Sequence, residues 1–262
     1  MTQSALETAA THLWQAWQQG RSLDDLPADC RPRDPAEGYA VQAALVGLSG
    51  QAVAGWKIAA TSSAGQSHIG VSSPLAGRLL AGRFSRHPAT VAMGAGNIMR
   101  VAEAEFAFRI GRDLPPREAP YRQDEVMASV AALHPAVEIP NSRFADFVQA
   151  GEAQLIADDA CAHWFVLGDE VNGDWRGVDL AAHPVAFHRN GEVATWGQGR
   201  DALGDPRIAL TWIANNHALQ GEGLREGQVV TTGVCGKPVP ISAGDRLLAD
   251  FGEFGVVEVA LV

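Results

Sequence analysis

Glu103 and Glu105 stand two apart in the run Arg100-Val-Ala-Glu-Ala-Glu-Phe-Ala-Phe-Arg-Ile110, and Glu138 follows in Pro135-Ala-Val-Glu-Ile-Pro140. Both runs read as apolar strands, where a carboxylate is costly unless something pairs with it. Three carboxylates converging on one point repel one another, and a divalent cation is the simplest cure. Oxygen-only ligands select a hard ion, Mg²⁺ first, with Mn²⁺ or Ca²⁺ as alternatives. Side chains alternate along a strand, so residues i and i+2 share a face. Ala104, Phe106, Phe108 and Ile110 then line a wholly apolar face, and Glu103, Glu105, Ala107 and Arg109 line the other. On a helix the two glutamates would stand about 200° apart and could not chelate together. The competing reading is a solvated polar face on an edge strand; Glu138, flanked by Val137 and Ile139, weighs against it.

A cation is also within reach. Lys57 lies in Gly55-Trp-Lys-Ile-Ala-Ala-Thr61, between Trp56 and Ile58. It reads either as an edge-strand lysine that snorkels to water or as a partly buried cation that binds an anionic substrate or transfers a proton. Burial would lower its pKa and neighbouring carboxylates would raise it. Asp158-Asp159 precedes an apolar strand, where an acid pair is commonly a turn or a cap. Gly197-Gln-Gly199 lacks the third glycine and the strand–helix context of a dinucleotide loop. Thr231-Thr232-Gly233 and Lys237 lie on a glycine-rich stretch that could line a pocket. The eight histidines make no His-x-x-x-His pair, and His134, on the strand face of Glu138, reads as structural.

These residues need a scaffold. Residues 4–18 read as an amphipathic helix with Leu6, Ala9, Leu13 and Trp17 at helical spacing. A second helix is expected from Pro35 to about Leu48, with proline in its first turn and Gly50 ending it. Together they make a helical N-terminal portion, residues 1–50, ahead of a catalytic domain over residues 51–262. Val53–Ala60 reads as a strand, Ser62–Ile69 as a short helix closed by Gly70, and Gln123–Leu133 as a helix. Strands follow at Ala162–Leu167, Val185–Arg189 and Glu192–Thr195, the last two joined by the hairpin signal Asn190-Gly191. Asp205–Leu219 reads as a helix, and residues 228–262 as short strands. Regular β-α-β alternation is missing, so an α+β fold around mixed sheets is expected.

Composition narrows the function classes. The 262 residues suit one large domain or two small ones, and the hydrophobic share of 47% is ample for a core. A formal net charge of −10 with no basic run argues against nucleic acid. Three widely spaced cysteines without Cys-x-x-Cys indicate neither a zinc knuckle nor a disulfide framework. With no signal-like N-terminus and no long apolar run, no membrane association and a reducing, cytoplasmic setting are expected.

Taken in order, the motifs resemble the fumarylacetoacetate hydrolase superfamily, and more narrowly its branch of 2-keto-4-pentenoate hydratases and 4-oxalocrotonate decarboxylases. The resemblance runs through Asp34-x-x-x-Gly-Tyr39-x-x-Gln42, Gly55-Trp-Lys-Ile58, Thr61-Ser62, Ile69-Gly-Val71 and Pro74-x-x-Gly77. It continues in Glu103-x-Glu105, Gly111-Arg-Asp-Leu114, Pro135-Ala-Val-Glu-Ile139, Ser142-Arg143 and Ala157-Asp158. Leu203-Gly-x-Pro206, Thr232-Gly233 and Gly244-Asp245 complete it, for coverage of about residues 30–262.

The resemblance implies a mixed β-sheet roll with peripheral helices. It implies Mg²⁺ or Mn²⁺ on Glu103, Glu105 and Glu138, and catalytic roles for Lys57 and Asp158. Thr61, Ser62, Thr232 and Gly233 would bind the substrate, a small 2-oxo acid or its enol. Self-association into a homo-oligomer is also implied. The activity expected is metal-dependent hydration of a short unsaturated 2-oxo or 2-hydroxy acid, such as 2-hydroxypenta-2,4-dienoate, in aromatic catabolism. The alternatives are decarboxylation of a 4-oxalocrotonate-type acid and a non-catalytic partner subunit. Two departures matter: Leu75 stands where the hydratases commonly carry an aspartate used in acid/base work, and Asp159 where relatives often have asparagine. The His-Glu pair that the hydrolases use for C–C cleavage has no evident counterpart, which disfavours acylpyruvate hydrolysis.

Overall fold

The computed structural model describes residues 1–94, 96–219 and 221–262. Two helices open the chain. α1 (Gln3–Gln19) is N-capped by the Thr2 hydroxyl and stops at Gly20, and α2 (Pro35–Ser49) is N-capped by Asp34 with proline in its first turn. β1 (Val53–Ala59), α3 (Ser63–Ile69) and β2 (Leu75–Leu80) follow, with the Ser62 hydroxyl capping α3 and Gly70 ending it. Next come β3 (Phe84–Arg86), β4 (Ala89–Val91), β5 (Val101–Ile110), α4 (Gln123–Met127), β6 (Val130–Ile139), α5 (Glu152–Ala157) and β7 (Trp164–Leu167). The chain ends through β8 (Pro184–Arg189), β9 (Glu192–Gln198), α6 (Pro206–Leu219), β10 (Val229–Val234), β11 (Val239–Pro240), β12 (Arg246–Asp250) and β13 (Val256–Leu261). No helix among the described residues is long and apolar enough to cross a membrane.

The strands form two sheets. The larger runs β2-β1-β10-β5-β6-β7-β3, with β11 added on β5, and the smaller runs β4-β13-β12-β8-β9. Most pairs are antiparallel; β1 with β10, β3 with β7 and β4 with β13 are parallel. This mixed α+β architecture agrees with the expectation from the sequence.

The two faces of the large sheet have different contents. Trp56, Ile58, Phe106, Phe108, Leu133, Val137 and Val230 point to the main apolar core, where they meet Phe187, Ala249 and Val257 of the small sheet and Ala209, Leu210 and Ile213 of α6. The opposite face carries Lys57, Gly77, Glu103, Glu105, Ala107, Ala136, Glu138 and Thr231, as the cross-strand register dictates. α1, α2 and α5 build a second apolar cluster with Leu75, Leu80 and Phe144.

One element differs from the sequence reading. The helix expected over Gln123–Leu133 stops at Met127, and Val130 begins a ten-residue strand. Ala131, Ala132 and Leu133 favour a helix intrinsically, but pairing with β5 along its length decides the outcome. Gly197 and Gly199 are also explained by packing. A Cβ on Gly199 would lie 2.0 Å from the Leu180 carbonyl oxygen, and one on Gly197 would lie 2.2 Å from the Gly236 nitrogen.

Candidate metal centre and substrate cavity

β5 and β6 bring the acids together. Glu103 sits directly opposite Glu138 in the antiparallel register, and Glu105 follows on the same face. One oxygen from each carboxylate lies within 4.8 Å of the others. Glu105 and Glu138 are buried and Glu103 is half-buried.

Two groups from β10 orient Glu105: the Thr231 hydroxyl and the Gly233 backbone N–H both donate to its Oε2, the latter at 2.8 Å. Its Oε1 and the Oε2 of Glu138 have no hydrogen-bond partner among the described residues. Buried carboxylate oxygens without partners are costly. Their convergence with Glu103 is what an oxygen-ligated divalent cation fits. Without such an ion, burial and the charge of Glu138 push Glu103 up to about 7, and the same causes hold Glu105 well above the usual carboxylate range.

Lys57 completes the cluster from β1. It is 3% exposed, and β1 lies between β2 and β10, so the snorkelling edge-strand reading fails. Its ammonium lies 3.0 Å from Glu138 Oε1 and donates to the Ala160 carbonyl oxygen at 3.1 Å. Burial works to lower its pKa, but Glu138, Glu103 and Glu105 outweigh burial and hold it raised. Lys57 therefore keeps its proton.

A cavity of about 500 Å³ opens above Lys57 and Glu103. Its walls are largely apolar, from Leu75, Met99, Val101, Phe147 and Leu155. That size and lining suit a small-molecule site. Polar groups enter from Thr61, Ser62, His68, Cys161 and Lys237. Thr61, Ala64, Gly65 and His68 follow a helical period, so one face of α3 lies over the cavity.

The expected site residues divide. Lys57, Glu103, Thr61 and Ser62 line the cavity, and Glu105 and Glu138 lie in the cluster at its floor. Thr232 does not line it; its hydroxyl donates to the Phe106 carbonyl oxygen at 2.9 Å. Gly233 does not line it either, and acts through Glu105. Its φ is +103°, and a Cβ there would lie 2.1 Å from the Thr61 hydroxyl, so glycine lets Thr61 approach.

Asp158 is placed away from the cavity, which corrects its expected catalytic part. The Ser142 hydroxyl at 2.8 Å and the Arg143 backbone N–H at 2.9 Å donate to its Oδ2, and the Arg143 side chain pairs with Oδ1. A fully buried carboxylate held in this way anchors the chain, in line with the turn or cap reading of the acid pair. Lys237, expected on a glycine-rich stretch that could line a pocket, does line it, whereas His68 was not singled out by the sequence. The face of α3 behind Ser62 was the signal available for His68.

Known proteins can now be set beside this geometry. The sequence model of the fumarylacetoacetate (FAA) hydrolase C-terminal family matches residues 77–262. The chain belongs to that family. Among its relatives, the 2-keto-4-pentenoate hydratase of Paraburkholderia xenovorans (strain LB400) is 33% identical over 249 residues, covering 94% of this chain and 90% of that protein. The 2-hydroxyhexa-2,4-dienoate hydratase of Comamonas testosteroni is 30% identical, covering 92% and 91%. Among solved structures, the 4-oxalocrotonate decarboxylase from Pseudomonas putida G7, complexed with magnesium and adipate, superposes with a TM-score of 0.90. It is 25% identical, and the match covers 100% of this chain and 99% of that one. The proteins it is similar to thus include hydratases and a decarboxylase whose structure holds magnesium.

Proposed function

We propose that the protein is a divalent-metal-dependent lyase of aromatic catabolism. It hydrates a short unsaturated 2-hydroxy or 2-oxo acid, as in 2-hydroxypenta-2,4-dienoate plus water giving 4-hydroxy-2-oxopentanoate. The observation that carries this reading is the cluster of Glu103, Glu105 and Glu138, with unpartnered oxygens, paired to buried Lys57 at the floor of the cavity. Hydratases at 30% and 33% identity across nearly the whole chain support it.

Mg²⁺ is the first choice of ion, with Mn²⁺ the alternative, and Glu103, Glu105 and Glu138 would hold it. Such an ion, when bound, polarises a 2-oxo group and its neighbouring carboxylate. The protein's own groups do the rest. An ammonium has three N–H donors; Lys57 spends one on Ala160 and one on Glu138, which leaves one for the substrate. Thr61 and Ser62 orient the acid from the cavity wall. Leu75 and Phe147 exclude water from the carbon chain.

Decarboxylation of a 2-oxo acid is the second reading, and Leu75 favours it. Leu75 lines the cavity, buried, where an acid/base aspartate would serve hydration. Among the described lining residues Glu103 is the one carboxylate. Loss of CO₂ needs an electron sink more than a base. A cytoplasmic setting and self-association accompany either reading; Trp196, 66% exposed on the edge strand β9, is one apolar group that a second copy could cover.

The test follows dienoate absorbance and CO₂ release in parallel, with Mg²⁺ and after chelation. Metal-dependent loss of absorbance without CO₂ is expected, and Glu105→Ala should abolish it while weakening Mg²⁺ binding in calorimetry. CO₂ release without hydration would move the assignment to the decarboxylase. No turnover of either kind would leave the non-catalytic subunit.

A further inference from the structure

Hydration needs a group that takes a proton from water, and the floor of the cavity does not supply it. Lys57 keeps its proton and is committed to Glu138 and Ala160. Glu103 belongs to the metal cluster. Burial pushes the Cys161 thiol up to about 12, which keeps it protonated. Lys237, on the loop between β10 and β11, ends in an ammonium, and an ammonium has no lone pair to accept with. Among the described lining residues, His68 of α3 is the titratable group that remains.

The helix that carries His68 is fixed over the cavity. At its start the Gly65 N–H donates to the Ser62 hydroxyl at 3.1 Å, and the Gln66 side chain reaches back to donate to the Ala60 carbonyl oxygen at 3.1 Å, just past the end of β1. At its end the Val71 N–H donates to the Gln66 carbonyl oxygen at 3.0 Å. The His68 ring meets Phe147, a wall residue, edge to face, with ring centroids 6.2 Å apart and planes at 70°. That contact sets the imidazole on the cavity wall. No hydrogen bond or ion pair among the described residues engages either ring nitrogen, and the side chain is exposed enough to exchange protons with solvent. Leu75, on the same wall, offers the imidazole neither a charge nor a hydrogen bond.

We propose that His68 is the proton-transfer residue of the hydration, supplying the base that the apolar wall around Leu75 lacks. The inference rests on the hydratase reading and names a residue for its reaction. The dienol first moves its hydroxyl proton to C5, leaving a 2-oxo-3-enoate. As the oxygen of a water bonds to C4, a ring nitrogen of neutral His68 takes one of that water's protons, and the electron pair of the C3–C4 double bond moves onto the 2-oxo oxygen. The imidazolium then returns the proton to C3 as the pair comes back from the oxygen. The product carries the hydroxyl on C4 and the new hydrogen on C3, and His68 is neutral again. Imidazole suits this cycle because it changes charge near neutral pH.

The charged and titratable groups that share the cavity with His68 are Lys57 from β1, Glu103 from β5, Cys161 from the turn after α5 and Lys237; the segment of Phe147 adds none to the described lining. Mg²⁺-loaded wild type, His68→Gln and His68→Ala are assayed for loss of dienoate absorbance across pH 5 to 9. His68→Gln should lower kcat about a hundredfold, with KM changed less than about threefold. It should also remove the acidic limb of the wild-type rate profile, where an imidazole becomes protonated. Added imidazole should restore His68→Ala severalfold and leave wild type unchanged. A histidine that only packs against Phe147 would give none of these effects. In parallel, 2-oxopentanoate, a saturated analogue, is titrated into Mg²⁺-loaded protein carrying isotope-labelled histidine and followed by NMR. The ring resonance that is missing from His68→Gln should shift on binding. Turnover by His68→Gln within about threefold of wild type, or a His68 resonance that 2-oxopentanoate leaves unmoved, would overturn the inference while the hydratase reading stands. A wild type that turns over no dienoate would sink that reading, and the inference with it.

Discussion

At the scale of single residues, the decisive feature is that Lys57, Glu105 and Glu138 are buried together, with half-buried Glu103 beside them at the cavity. Removing one partner of a buried ion pair is far more damaging than the net worth of the pair, commonly about 3–5 kcal/mol. Lys57→Met should therefore lose activity and also lower the stability of the metal-free protein by about that range, with saturating Mg²⁺ recovering part of it. Urea denaturation with and without Mg²⁺ measures both, and an unchanged midpoint would show that the carboxylates do not need the ammonium. Asp159 makes a second prediction. Burial raises its carboxyl to about 7, against hydrogen bonding from the Arg78 N–H at 2.7 Å. An acid whose folded pKa is raised contributes stability that is fully present below its unfolded pKa, near 3.8, and is lost as pH rises through about 7. Asp159→Asn removes the charge and keeps the acceptor. Relative to wild type it should gain about 1–3 kcal/mol on going from pH 4 to pH 8. Parallel stability curves for the two proteins over that range would refute the burial argument.

At the scale of elements, the turn after α5 does the positioning. Asp159, Ala160 and Cys161 have φ of +55°, +48° and +62°, three successive non-glycine residues in the left-handed region. Each costs roughly 1–2 kcal/mol, and such strain gathers where surrounding structure imposes it for a purpose. The purpose here is the Ala160 carbonyl, which meets the Lys57 ammonium. Arg143 anchors the turn through Asp158, and Arg78 anchors it through Asp159. Gly77 on β2 leaves room for it, since a Cβ there would lie 2.3 Å from the Asp159 carbonyl oxygen. Gly77→Ala should push the turn off Lys57, costing about 1–3 kcal/mol and most of the turnover. Wild-type stability and rate in that variant would show that the close approach is immaterial.

At the scale of the whole molecule, the helical N-terminal portion shares a core with the rest. Leu13, Trp17, Val41 and Leu45 pack with Leu75, Phe144, Leu155 and Ile156. Leu75 belongs both to that cluster and to the cavity wall. Deleting residues 1–50 should therefore expose apolar surface beside the site and abolish Mg²⁺ binding, seen by calorimetry alongside circular dichroism. A truncated chain that binds Mg²⁺ like the full one would make residues 1–50 a separate unit. Much of this was legible in the sequence. Period-two alternation put Glu103 and Glu105 on one strand face, proline and glycine marked the ends of α2, and Asn190-Gly191 marked the β8–β9 hairpin, because these signals act over a few neighbouring residues. Local signals also misled: Ala131 to Leu133 suit a helix, and the pairing with β5 that makes them a strand is a contact far along the chain. For Asp158 the local reading as a turn or cap residue agrees with its burial against Ser142 and Arg143; its catalytic part was implied only by the resemblance. Lys57 remained ambiguous, since whether a lysine snorkels or is buried depends on which strands flank its own. The residue types for metal chemistry lay in the sequence; the register that sets Glu103 against Glu138, the anchoring of Asp158 by Arg143, and the meeting of Lys57 and Lys237 in one cavity depended on long-range pairing and close packing, which the tertiary structure alone decides.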